Sequence, residues 1–246
     1  MKRALLGLIA VIVASPALAQ DHLEPEDSIF ASRANRDNIS TGYERDVVAK
    51  FAEFYDWGVH ARAIVLPSFQ TEYGIAFMGD SKNQKVVGLR AAAMIWNYSL
   101  IKLYEGGQIT SRDRNGIDNT KEDLAELRAL VRPKIEDLEM SRCELPIVAE
   151  DARLFKSVWK KMLRATRFPD RSRIGFDGVT YHFSGDFDHQ SLAGKVWFPK
   201  GQSETAALAK IAAGLYSACS ENDTSKFLIA RQEAVALCNK IGCDKK

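Results

Sequence analysis

Residues 72–98 consist of three consecutive pieces, EYGIAFM, GDSKNQ and KVVGLRAAAMIWNY, and this stretch decides the fold. The outer pieces contain the β-branched and aromatic residues that favour strands, whereas the middle piece is polar and begins with Gly79. Two strands joined by so short a turn pair antiparallel. The alanines at 91–93 also suit a helix, so the pattern leaves the end of the second strand open.

Segments on both sides of this hairpin have helical or extended patterns. The predicted helices are 43–60, 121–131, 150–167, 202–219 and 224–239. The other predicted strands are 135–147, 178–183 and 194–198. We therefore predict one α+β domain, in which a mainly antiparallel sheet of about five strands is covered by helices and a helix pair ends the chain.

The first nineteen residues have the layout of an export signal. Lys2 and Arg3 precede an apolar run that is too short to span a bilayer, and Ala17-Leu18-Ala19 has the small residues of a cleavage site. We predict a cleaved signal peptide over 1–19, a loose lead-in over 20–40 and a single domain over 41–246. The expected location is the bacterial periplasm, without integral membrane association.

Composition excludes a disordered chain, because 46% of the residues are hydrophobic and 27% are charged. The formal net charge of +2 comes from Lys2 and Arg3, so the chain without its signal is formally neutral. Proteins that bind nucleic acids carry a basic excess. We therefore expect no nucleic-acid partner.

The four cysteines, Cys143, Cys219, Cys238 and Cys243, predict two disulfides in an exported protein, with three connectivities to choose from. In an antiparallel helix pair, Cys219 lies beside the connecting loop and Cys238 lies about 20 Å away at the far end of the second helix. Gly242 allows the chain to turn back after the second helix, and a Cys238–Cys243 disulfide would close that turn. We favour Cys143–Cys219 and Cys238–Cys243.

Four side chains of metal-ligating type lie within eight residues: His182, Asp186, Asp188 and His189. Imidazole and carboxylate groups suit zinc or iron, so they form a candidate metal site. Their spacing matches no recurring metal motif. The alternative is a strand followed by a polar loop, which we favour, and we expect no metal and no cofactor.

Other catalytic motifs are missing from the sequence, which has no G-x-S-x-G elbow, Walker loop or G-x-G-x-x-G. We therefore name no catalytic residue. Two weaker patterns remain. Three acids near aromatic residues would suit a sugar cleft: Glu53, Asp56 and Glu72. Helix 150–167 has a basic face that could meet an acidic partner: Arg153, Lys156, Lys160, Lys161, Arg164 and Arg167.

Several short motifs between residues 70 and 218 form a pattern that resembles small exported bacterial proteins. The motifs are Trp159-x-x-Met162-Leu163, Thr166-Arg167, Asp177-Gly178-Val179-Thr180-Tyr181-His182-Phe183 and Gly194-x-x-Trp197-x-Pro199. Some of those proteins are similar to immunity proteins that protect the periplasm from antibacterial effectors of contact-dependent secretion systems. The resemblance implies a protein that binds a toxin and blocks it, and no active residue is carried over from the family.

We therefore expect a periplasmic binding or inhibitor protein with a protein partner, an immunity protein that neutralises a cognate toxin. The predicted interface lies in exposed loops, with the candidates 79–84, 106–118 and 184–190. The alternative function is a metal-assisted hydrolase of the cell envelope that uses the 182–189 stretch.

Overall fold

A computed structural model describes residues 20–26, 30–31, 42–80, 82–108, 110–112, 118–131, 134–169, 178–199 and 201–243. The strands in these ranges are β1 Glu24–Pro25, β2 Val59–Pro67, β3 Tyr73–Met78, β4 Lys85–Ala91, β5 Met140–Pro146, β6 Val179–Phe187 and β7 Gln190–Trp197. The helices are α1 Gly42–Lys50, α2 Ile95–Glu105, α3 Thr120–Leu130, α4 Ala149–Arg164, α5 Glu204–Glu221 and α6 Thr224–Ile241.

The strands form one sheet in the order β1-β7-β6-β2-β3-β4-β5, and every neighbouring pair is antiparallel. Strand β2 lies at the centre and pairs with β3 on one side and with β6 on the other. The predicted α+β class is confirmed. The predicted strand number is wrong, because the described residues contain seven strands rather than five.

Helices α4, α5 and α6 cover one side of the sheet, which we call the helix-pair face. Phe77 and Phe183 of the sheet pack there against Trp159 of α4, with ring centroids 5.2 and 5.7 Å apart. The Trp159 indole N–H also donates to the carbonyl of Arg62 in the central strand, at 3.2 Å. Helices α5 and α6 are antiparallel, since Lys240 near the end of α6 pairs with Glu204 at the start of α5.

Helices α1 and α2 cover the opposite side, which we call the N-terminal face. Its core includes Val47 of α1, Ile95 of α2 and Ile64 of β2. The fully buried carboxylate of Glu72 accepts the backbone N–H groups of Ile95 and Trp96, at 2.8 and 3.2 Å. Glu72 therefore caps the N-terminus of α2, where the helix leaves such groups without intrahelical partners.

The sequence pattern misplaced three elements on this face. The predicted helix 43–60 ends at Lys50, a 3-10 turn Ala52–Tyr55 follows, and the unpredicted strand β2 begins at Val59. The second strand of the predicted hairpin, whose end the alanines left open, stops at Ala91, and helix α2 begins at Ile95 under the cap of Glu72. The predicted loose lead-in contains β1, which pairs with β7.

The segment 20–26 is attached to the domain along its length. Leu23 is buried in the core of the helix-pair face, and the Gln20 side chain accepts the backbone N–H of Trp197 at 2.8 Å. The Thr205 hydroxyl donates to the Gln20 carbonyl at 3.1 Å. Residues 27–29 and 32–40 of the lead-in, and the predicted signal peptide 1–19, lie outside the described residues.

A disulfide joins Cys143 of β5 to Cys219 of α5, with the Cα atoms 5.7 Å apart, and this is the first of the two pairs expected from the sequence. The bond connects the edge strand of the sheet to the helix above it. Gly88, the register partner of Cys143 in β4, gives the bond its space, because a Cβ at Gly88 would lie 2.6 Å from the Cys143 sulfur.

The structure draws no bond between the other predicted pair, Cys238 and Cys243, and both residues are buried in the core of the helix-pair face. The turn between them is closed by the backbone, since the N–H groups of Gly242 and Cys243 both donate to the Cys238 carbonyl. Gly242 has φ +67°, a left-handed conformation that ends the helix without a covalent bridge.

We expect the double substitution Cys143→Ala/Cys219→Ala to lower the free energy of unfolding by about 2–5 kcal/mol, because the bond closes a long loop in the unfolded chain. Urea unfolding monitored by circular dichroism measures the loss. Dithiothreitol should destabilise the wild-type protein to the same level and leave the double variant unchanged. Equal stability of the reduced and oxidised wild-type protein would contradict a structural role for this disulfide.

We expect Glu72→Ala to lower the free energy of unfolding by about 2–4 kcal/mol, because two backbone N–H groups of α2 and the Tyr43 hydroxyl lose their acceptor. Tyr43→Phe is the matched control, since it removes one of these hydrogen bonds, leaves the helix cap intact and should cost about 1 kcal/mol. Urea unfolding of both variants tests the ranking. A smaller loss for Glu72→Ala than for Tyr43→Phe would show that the cap is not important.

Candidate functional site

The four candidate metal ligands point to different places. His182 lies on the N-terminal face, with its ring centroid 4.2 Å from that of Phe30. Asp188 lies in the β6–β7 turn and pairs with Lys160 and Arg164 of α4, on the other side of the sheet, at 2.6 and 3.0 Å. The Lys160 ammonium, with help from Arg164, lowers the pKa of the Asp188 carboxyl.

Strand alternation and the hairpin turn explain this separation. Asp188 and His189 both have positive φ, as a tight turn requires, so they leave the strand. Asp186 remains in β6 and accepts a hydrogen bond from the Ser191 hydroxyl across the hairpin, at 2.5 Å. In the part of the chain that the structure describes, no three His, Cys, Asp or Glu side chains come together as a metal site.

His182 has a buried acidic partner, Glu26. Its Nδ1 lies 2.5 Å from a carboxylate oxygen of Glu26, and the Lys195 ammonium lies 3.7 Å from the other oxygen. The His182 residue is 8% exposed and the Glu26 residue 7% exposed. This pair attaches the N-terminal segment to β6. The segment's only strand pairing among the described residues is the two-residue contact of β1 with β7.

Arg62 is another buried charged residue of the N-terminal face. Its guanidinium carbon lies 4.1 Å from the centre of the Tyr55 ring, a cation–π arrangement. The guanidinium also donates to the backbone carbonyls of Phe54, Phe30 and Ala31, at 3.3, 3.4 and 3.1 Å. Arg62 therefore holds the 3-10 turn and the segment around Phe30 against the central strand.

Three connections meet at one end of the sheet, which we call the loop end. They are residues 56–58 before β2, the turn between Met78 and Lys85, and the β6–β7 turn at 188–189. His60 links the first two, because its Nε2 lies 2.7 Å from the Gly79 carbonyl. The described residues of two loops expected to form an interface, 79–84 and 184–190, thus lie together here. Residue 81 of the first loop and residues 109 and 113–117 of the third expected loop, 106–118, lie outside the described residues.

A cavity of about 490 Å³ opens at the loop end, on the N-terminal face. Its walls are Ala31, Tyr55, Asp56, Trp57, Gly58, Val59, His60, Arg62, Gly185, Asp186 and Ser191. Trp57 is 94% exposed, although tryptophan side chains are usually well buried. Gly58 follows it with φ +92°, so a glycine turn presents the indole at the mouth of the cavity.

The sequence pattern marks Trp57 only as an aromatic neighbour of the sugar-cleft acids and does not predict its exposure, because residues 43–60 were expected to form one amphipathic helix. In such a helix the indole would have been one more residue near the end of an apolar stripe. The available signal was the dipeptide Trp57-Gly58, since glycine is a frequent helix stop and turn residue.

The acids of the predicted sugar cleft do not meet. Glu72 is the buried cap of α2, and Glu53 forms a bidentate ion pair with Arg142 of β5. Asp56 alone among them lines the cavity beside Trp57. The basic face of α4 is partly used inside the protein, because Lys156 donates to Gln84 at 2.9 Å and Lys160 pairs with Asp188.

A second cavity, of about 510 Å³, lies between α2 and α3. Two of its basic residues already have acidic partners: Lys102 pairs with Asp46 and Arg128 with Glu105. Its aromatic residue, Tyr98, is buried rather than exposed. We therefore take the loop-end cavity, with its exposed indole, as the candidate functional site.

We expect His182→Phe to destabilise the protein by about 3 kcal/mol, because the buried Glu26 carboxylate loses its imidazole partner while the ring stacked on Phe30 is retained. Urea unfolding measures the loss, and limited proteolysis should show faster cleavage near residues 20–26. The double variant His182→Phe/Glu26→Gln should recover part of the stability. No recovery in the double variant would show that the charge of Glu26 is not the cause.

No helix in the described ranges is long and apolar enough to cross a membrane. Searches for relatives of known function returned none: no protein-family model, no curated protein and no solved structure matches this chain.

Proposed function

We propose that this chain is an exported inhibitor, an immunity protein that binds a cognate antibacterial toxin through the loop end. The observation that carries the proposal is Trp57, an almost fully exposed indole at the mouth of a cavity of about 490 Å³. Tryptophan is among the residues that contribute most to protein–protein binding energy, above all when it lies beside a pocket that becomes dry on binding.

The rigid support of the loop end favours binding without large rearrangement. The residues on either side of Trp57 are fixed, since the ring of Tyr55 lies under the buried Arg62 and Val59 begins the central strand. An anchor that is held in place before binding loses little conformational entropy when the partner arrives. The indole is therefore ready to make contact in the unbound protein.

Export is the second part of the proposal. The Cys143–Cys219 disulfide is typical of proteins that fold in an oxidising compartment such as the periplasm. The predicted signal over 1–19 supplies the route. Cell fractionation of the source bacterium should recover the mature protein, beginning at Gln20, in the periplasmic fraction.

We expect Trp57→Ala to abolish protection without unfolding the protein, because a single exposed side chain contributes within about 0.5 kcal/mol to stability. The test is a strain that lacks this gene, grown against wild-type neighbours that deliver their effectors. Survival should fall at least tenfold in the deletion strain and return with the wild-type gene. The Trp57→Ala gene should fail to restore it.

Phe69→Ala is the matched control, because Phe69 is 76% exposed and lies in the β2–β3 turn at the opposite end of the sheet. It should protect as well as the wild-type gene. Equal survival of the deletion strain and the wild-type strain would reject the immunity function. Full protection by Trp57→Ala would reject the loop end as the binding surface.

A further inference from the structure

We infer that the loop-end cavity takes a positively charged side chain, a lysine or an arginine of the partner, against the Trp57 indole and the Asp186 carboxylate. The inference rests on the proposed function, since it names the group of the inhibited protein that the cavity recognises. It depends on which polar groups the cavity offers to a ligand.

The polar groups of the β6–β7 side offer hydrogen-bond acceptors. The Ser191 hydroxyl donates to one oxygen of the Asp186 side chain, so the second oxygen is an acceptor for a ligand. Asp186 is an exposed residue of the cavity wall. The Asp56 side chain lines the same cavity.

Two polar side chains of the cavity wall, His60 and Arg62, make hydrogen bonds within the protein. A carbonyl oxygen can only accept, so the His60 Nε2–H donates to the Gly79 carbonyl at 2.7 Å. The Arg62 guanidinium is directed to the Tyr55 ring and to three backbone carbonyls. A ligand therefore meets the Asp186 carboxylate and the exposed Trp57 indole with its N–H donor.

A cationic side chain is complementary to that set. Lysine and arginine have donors and no acceptor, and a cation over the face of an indole is the most favourable cation–π arrangement. A sugar also stacks on tryptophan, but it carries no positive charge to complement the Asp186 carboxylate. The charge of the cavity wall thus favours a basic side chain over a glycan.

The two similar acids of the β6–β7 hairpin allow a controlled test. Asp186 faces the cavity, whereas Asp188, two residues later, pairs with Lys160 and Arg164 on the far side of the sheet. Asp186→Asn removes the negative charge and keeps an oxygen to accept from Ser191. Asp188→Asn makes the same chemical change outside the cavity.

The probes are the Nα-acetyl methylamides of arginine, lysine and norleucine, together with diacetylchitobiose as the glycan. Nuclear magnetic resonance follows the indole N–H signal of Trp57 in the full-length mature protein, assigned by its loss in Trp57→Phe. Arginine and lysine amides should shift the signal along a saturating curve with a Kd of the order of millimolar, as expected for so small a ligand. Norleucine amide, whose side chain is close to lysine in length but carries no charge, should not give a saturating curve.

We expect Asp186→Asn to weaken arginine-amide binding at least threefold and Asp188→Asn to change it less than twofold. Higher salt should also weaken binding, because the contact is between exposed charges. Saturation by norleucine amide as strong as by arginine amide, saturation by diacetylchitobiose alone, or an unchanged Kd in Asp186→Asn would each overturn the inference.

The survival assay separates this inference from the proposed function. If Asp186→Asn protects cells as well as the wild-type gene while Trp57→Ala does not, the toxin-binding surface is supported and the cation contact is rejected. If arginine amide binds as expected but Trp57→Ala protects fully, the cation site is supported and its role in inhibition is rejected.

Discussion

Strand β2 lies in the middle of the sheet, with three strands on each side, and both faces of the protein are built on it. Its alanines at 61 and 63 leave room for the aromatic core under α4, and its Arg62 carbonyl accepts the Trp159 indole N–H. The Arg62 side chain points the other way and holds the 3-10 turn in place. One strand therefore anchors both layers and sets the position of Trp57 at its entrance.

The sequence predicted most of the helices and the 72–98 hairpin because their patterns are local. It did not predict β2, since the residues VHARAIVLP combine alanines with a central arginine and lack a clean alternation. The burial of Arg62 depends on an aromatic ring and three carbonyls from other segments. Such partners are brought together only by the fold, so no local pattern contains them.

At the candidate site, residues that are close in sequence lie far apart in the structure, and residues that are distant in sequence lie close together. Four metal-type side chains lie within eight residues of sequence, yet His182 and Asp188 end on opposite faces of the sheet. The side chains that do share a cavity, Trp57 and Asp186, are separated by more than half of the chain. Proximity along the chain was therefore a poor guide to which side chains share a site. The predicted interface loops at 79–84 and 184–190 come from distant parts of the sequence, and their described residues lie at one end of the sheet.

The position of β2 in the chain also governs the order in which the sheet can be completed. Its neighbour β3 follows within a few residues, but its other neighbour, β6, begins more than a hundred residues later. In the first half of the chain, strands β2, β3 and β4 have one edge without its partner β6, and Phe77 lacks the rings of α4 that cover it. Sheets that depend on such distant pairings fold slowly. The second half of this chain therefore supplies both the strand and the helix that complete the sheet around β2.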